Sequence, residues 1–249
     1  MGKADLPVSA EFEPVGDASD ADWLPGRMEK PWGRGDGGNY VAAVIPGGFT
    51  AYARILHPAY DIRTRQEVSW REVAIRNGHT PHAQMQWQSI AASGSAHRPQ
   101  EFDEPATGHL PEIGARALVD ILARFTDTPE DCRFAVWEGW GIIDRDRWSG
   151  AASLRLPDRT YILLRGPIEA ATRSISPPFR QSAGLWWPRD RAWCVVTEID
   201  LMWTYVGGSV DCIEAILSDD RLESWPATLD DRVDIHGDRI NRESGRSGG

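Results

Sequence analysis

Apolar residues recur along this chain with two different spacings. Over residues 49–56, FTAYARIL, they fall at every second position, so Phe49, Ala51, Ala53 and Ile55 share one face and Thr50, Tyr52 and Arg54 the other. A period of two is that of a strand. YVAAVI, residues 40–45, reads as a second strand, and Pro46-Gly47-Gly48 between the two reads as a turn, so a hairpin is expected. Ser69-Trp70-Arg71-Glu72 then has the form of a capping box. It predicts a short helix through WREVAIRNG that stops at Gly78.

Helical spacing returns after residues 93–110, a long polar stretch read as a loop. From Pro111 onward, Leu118, Ile121, Leu122 and Phe125 form one apolar stripe. CRFAVWEG and TYILLRG read as strands, and PIEAATRSI as a helical turn opened by Pro167. AWCVVTEIDLMW, residues 192–203, is the longest strand expected, with WTYVGG after it. Ser209 caps the helix of VDCIEAILSDDRLES, where Val210, Ile213, Ile216 and Leu217 share a face. Together these elements predict an α+β fold, a mostly antiparallel sheet with a few helices packed on it. The expected domain spans residues 22–236, as one unit or as two tightly packed halves, 22–92 and 111–236. The polar ends, 1–21 and 237–249, are expected to be flexible tails.

The acids of the 192–203 segment raise the main functional question. In a strand, Trp193, Val195, Thr197, Ile199 and Leu201 take one side, and Cys194, Val196, Glu198 and Asp200 the other. Both faces begin apolar, as in a strand covered on each side. The second face ends in two carboxylates. Glu198 and Asp200 at alternate positions fit a general acid and base, or a cation site. They equally fit a strand end where an arginine such as Arg189 or Arg191 pairs with them. In a structure, a catalytic pair would face a cavity with no arginine satisfying both acids.

The chain holds twelve tryptophans, and that count widens the choice of sites. Trp137, Trp187, Trp203 and Tyr205, with Arg191, are the candidates for lining a groove that stacks a ligand; filling the interior is the alternative. Adjacent Trp186 and Trp187 point to opposite sides of a strand, so at least one is expected to be half exposed. His79 and His82 have HxxH spacing, in a proline-containing loop. A metal site there would need further ligands such as His57 or His97, and no metal or other cofactor is expected. Cys132, Cys194 and Cys212 lie in apolar segments without CxxC spacing, as buried thiols of a reducing compartment do.

Charge and hydropathy narrow the partners. A net charge of −10 argues against general nucleic-acid binding and allows a basic protein partner. All basic residues but Lys3 and Lys30 are arginine. With no run of 18 apolar residues and no apolar leader, no membrane span is expected and a cytoplasmic location is.

The segments GGFTAYARILHPAY, SWREVA, CRFAVWEGWG and LWWPRDRAWCVVTEIDLMWTYVGGS together resemble a group of uncharacterised bacterial proteins, over most of residues 23–236. That resemblance implies no activity, fold or site. The closing order of strand, strand, glycine turn and apolar helix is similar in layout to small α+β immunity-type proteins that bind toxins, with no diagnostic motif. Lacking a nucleophile, nucleotide or metal motif, the chain is expected to be a non-catalytic protein- or ligand-binding module. The alternative is a hydrolase-type enzyme using Glu198 and Asp200 in an aromatic cleft.

Overall fold

A computed structural model of the protein describes residues 12–91, 101–141, 143, 146–177 and 180–241. The strands are β1 (Glu13–Pro14), β2 (Ala51–Leu56), β3 (Ala59–Asp61), β4 (Glu67–Val68), β5 (Phe102–Asp103), β6 (Cys132–Trp137), β7 (Ser153–Arg155), β8 (Thr160–Gly166), β9 (Leu185–Pro188), β10 (Cys194–Val196), β11 (Trp203–Gly208) and β12 (Ser224–Ala227). The helices are α1 (Trp70–Arg76), α2 (Trp87–Ala91), α3 (Glu112–Leu122) and α4 (Val210–Leu217). Nine strands form one antiparallel sheet, ordered β1-β8-β6-β9-β10-β11-β2-β12, with β7 sharing the β8 edge; β4-β3-β5 form a second, small one. The fold is α+β.

Alternation explains why this sheet is covered on both sides. Phe134, Trp186, Val195, Val206 and Ile55 face one core, which α3 and α4 close with Leu118, Leu122, Ile213 and Ile216. Their sequence neighbours Ala135, Trp187, Val196, Tyr205 and Leu56 face the other. That second core is closed by α1 and α2, and by the segments around Leu24, Val41 and Val233. A strand with apolar residues at both parities can satisfy both cores, as the 192–196 stretch suggests. For the same reason Trp186 and Trp187 are both buried, at 2% and 1% exposure, contrary to the expectation that one would be half exposed.

The helix ends follow the sequence signals. The Ser69 hydroxyl accepts the Glu72 amide at 3.1 Å, and Ser209 accepts that of Cys212 at 3.2 Å. Only half of the capping box forms, because the Glu72 carboxylate turns to Arg76 one turn on. Gly78 follows α1 with φ of +78°, the left-handed conformation a glycine adopts without strain. The Trp193 indole N–H donates to Leu122 O at 3.1 Å and anchors the end of α3 to the sheet.

Four expectations need correction. Residues 40–45 are not a strand: Val41–Ala43 form a 3-10 turn, held by Val41 N to Asp231 O and Ala42 N to Leu229 O. The partner of β2 is therefore not a hairpin neighbour; it is β11 on one side and β12 on the other. This long-range pairing also joins the two expected halves into one sheet. The 192–203 segment is not one strand either. It folds back after Val196 so that β10 pairs with β11 (Cys194 opposite Gly207), and the acids lie in the connecting turn. Lastly, neither end is wholly a tail. Phe12 packs edge-on against Phe134 at 5.0 Å, and Asp238 is fully buried. Residues 1–11 and 242–249 lie outside the described residues.

Candidate functional site

The turn after β10 builds the site. Alternation puts Glu198 on the same face as Cys194 and Val196, and a bond from Leu201 N to Glu198 O at 3.1 Å closes the turn. Asp200 N donates to the Glu198 carboxylate at 2.6 Å, fixing one acid against the backbone of the other. A second tight turn, between β7 and β8, closes through Leu156 N to Arg159 O at 2.9 Å. It delivers Arg159 between the acids. Arg159 Nε donates to Glu198 at 2.7 Å, and Nη2 donates to Asp200 at 2.9 Å. The guanidinium carbon lies 5.3 Å from the Trp137 ring centre. Burial works against this charge, but Glu198 and then Asp200 outweigh it, so the Arg159 pKa lies above the ordinary arginine value.

Glu198, Asp200 and Arg159 line a cavity of about 260 Å³. Val44, Leu156, Leu185 and Val196 supply its apolar surface. Two polar groups on its wall have no hydrogen-bond partner among the described residues. One is the enclosed side-chain oxygen of Asn39. The other is the hydroxyl of Tyr161, a residue 6% exposed on β8. Burial, and next the charge of Glu198, push the Tyr161 pKa well above tyrosine's usual value, so it is a neutral phenol at physiological pH.

Trp32 lies at the edge of this cavity and is 58% exposed. It occupies the third position of a turn closed by Gly33 N to Lys30 O at 2.9 Å, with Pro31 before it. Its φ of +59° is one that glycine or asparagine normally takes in such a turn. Holding a tryptophan there costs about 1 kcal/mol or more.

The other sequence candidates divide. Trp137 supports Arg159 and packs edge-on against Trp140 at 5.5 Å, so it stands beside the cavity without lining it. Trp187, Trp203 and Tyr205 are buried at 1%, 4% and 2% exposure, because α1, α2 and the N-terminal segment cover that face of the sheet; they do not form an open groove. Arg191 lies in the β9–β10 turn, at the other end of β10 from the acids, with its guanidinium 5.7 Å from Trp23. His82 bonds Asp238 at 3.0 Å, and both nitrogens of His57 are engaged, by Ala106 O and by Thr204 Oγ1. His97 lies outside the described residues. Among the described residues no three His, Cys, Asp or Glu side chains converge as metal ligands. The three cysteines are free and buried, and burial pushes the Cys132 and Cys212 thiols up to about 12.

Two further recesses are less suited to a ligand. One of about 240 Å³ contains Glu223, whose carboxylate already accepts the Trp70 and Arg71 amides. One of about 430 Å³ is lined by Arg34, Tyr40, Asp230, Asp231 and Arg232 and has no aliphatic wall. Its Arg34 and Arg232 already hold Glu29, Asp230 and Asp234.

Sequence reasoning found the acids and missed Arg159, Tyr161, Asn39 and Trp32. Arg159 carried a signal, since PDR before a strand marks a tight turn that displays its last residue. Pro31-Trp32-Gly33 carried another. No family model, curated protein or solved structure matches the chain. No helix among the described residues is long and apolar enough to cross a membrane.

Proposed function

We propose that the protein is a non-catalytic binding module and that the cavity beside the 198–201 turn is its ligand site. One observation carries the reading: a cavity with apolar walls holds the enclosed Asn39 side-chain oxygen, which has no partner among the described residues, and the Tyr161 hydroxyl, which has none there either. Most enclosed polar groups in proteins are paired, so unpaired ones on a cavity wall mark where a ligand's polar atoms would sit. At about 260 Å³ the cavity lies just below the usual range for ligand sites, which begins at ~300 Å³, and so fits a small ligand. The free, buried thiols fit a cytoplasmic setting.

The hydrolase alternative is less well supported. Both acids line the cavity, but Arg159 bridges them. Glu198 also receives the Asp200 amide, so it has little freedom to exchange a proton with a bound substrate. The binding reading is tested by screening small fragments by NMR against the protein and an Ala43→Phe variant, in which a ring on the cavity wall fills the space. Hits that bind the wild type and are lost in the folded variant are expected. Hits that persist in the variant would place binding elsewhere, and turnover of any hit would overturn the non-catalytic assignment.

A further inference from the structure

The cavity wall differs from an ordinary apolar pocket in the sign of what it offers. Carboxylates outnumber cations among the residues that line it. Asp158, Glu198, Asp200 and Asp234 line it against one guanidinium, that of Arg159. Arg232 offsets Asp234 from outside, at 2.8 Å, and the wall is still net negative. The enclosed Asn39 oxygen lacks a donor. The Tyr161 hydroxyl, which has no partner among the described residues, can accept a hydrogen bond from a ligand. At the edge, Trp32 presents an exposed indole, the side chain whose face attracts cations best.

We propose that the ligand is an organic cation: a protonated amine carried on a short aliphatic or aromatic body. The ammonium supplies the donors that Asn39 and Tyr161 lack and the charge that the carboxylates attract. The body lies against Val44, Leu185 and Val196. Trp32, held in a left-handed turn conformation that a tryptophan rarely adopts, covers the ligand from the solvent side. An anionic ligand would have to displace Asp200 from Arg159 and then face three remaining carboxylates. The inference rests on the binding assignment above and adds the class of ligand.

The test uses probes matched in shape and different in charge: phenethylammonium, 2-phenylethanol and 3-phenylpropionate, with the same three head groups on a butyl chain. Titration calorimetry at pH 7 and low salt is expected to give binding of the cations about tenfold tighter, or more, than the alcohols or the acids. Tyr161→Phe and Glu198→Gln should each weaken the cations severalfold and leave the alcohols unchanged. Asp158→Asn, at a largely exposed turn position, should do the same at little cost to folding. Alcohols or acids that bind as tightly as the cations would overturn the cation assignment and leave the binding module standing. Silence from all six probes, together with a fragment screen that also finds nothing in the cavity, would overturn both. Cation binding that Asp158→Asn, Glu198→Gln and Tyr161→Phe all leave unchanged would remove this wall as the site.

Discussion

Arg54 and Arg159 reach the same side of the large sheet, and each lies against an indole: Arg54 at 4.0 Å from the Trp203 ring centre, Arg159 at 5.3 Å from that of Trp137. There the likeness ends. Arg54 is 3% exposed and has no carboxylate partner among the described residues. Its Nη1 donates to the carbonyls of Ala83 and Met85, both at 2.9 Å, and its Nε and Nη2 have no partner among the described residues. Burial lowers its pKa, opposed by Tyr205 and then by the charges of Asp231, Asp238 and Glu223. Arg159 stands at an opening, with two carboxylates in contact and its pKa raised. One arginine fastens the 83–85 loop to the sheet from inside. The other arranges the wall of a cavity. A cation against a tryptophan is therefore not by itself a sign of function in this chain; what separates the two is access to solvent and the carboxylates in contact with Arg159.

The same substitution at both sites should break the symmetry most sharply. Arg54→Ala leaves two enclosed carbonyls unpaired and opens a hole beside Trp203, and is expected to cost about 3–5 kcal/mol. Arg159→Ala removes pairs with a half-exposed and an exposed partner, and is expected to cost about 1 kcal/mol or less. Urea-unfolding midpoints with unchanged slopes measure both. Equal losses would mean that the cavity wall is as structural as the sealed interior. A second contrast comes from protons. His57 shares the sealed side, where its carbonyl accepts the Trp70 indole N–H at 2.8 Å, and burial pushes its own pKa down from 6.5 to about 4. The unfolded chain then binds a proton that the folded chain refuses. The stabilisation is complete above pH 6.5 and is lost as pH falls toward 4, by up to about 3 kcal/mol. His109, also lowered by burial, acts in the same direction. Melting temperatures between pH 7 and 5 should show this slope, and a His57→Gln protein should flatten it. The smallest effect belongs to the open side. Trp32→Asn relieves the left-handed backbone at φ of +59° and should raise stability by about 1 kcal/mol or less while weakening ligand binding. A loss of stability instead would make Trp32 a packing residue.

Legibility in the sequence tracked how local each feature is. Capping by Ser69 and Ser209 depends on residues three apart, and both caps form as read. The apolar stripe of α3 and the alternation of β6 and β8 are likewise local. The 40–45 segment failed because its apolar run is compatible with either a strand or a buried turn, and only contacts with Leu229 and Asp231, far along the chain, choose the turn. The 192–203 segment failed differently. Its alternation placed Glu198 on the correct face, but nothing nearby marks the reversal after Val196, because the turn carries neither glycine nor proline. The acids were legible as candidates. Their arginine was expected from Arg189 or Arg191, close by in sequence, and came from Arg159, nearly forty positions earlier.

By itself the sequence determined the class of this fold, the helix starts and the two-faced character of the central strands, since period, capping and hydrophobicity act over a few residues. Tertiary structure alone decided which strand lies beside which, that β2 inserts between the last two strands of the chain, β11 and β12, and that Arg159, Tyr161, Asn39 and Trp32 meet around the acidic turn. A cavity is where packing leaves space between distant segments. No local pattern encodes that space, so the site became visible only once the chain was folded.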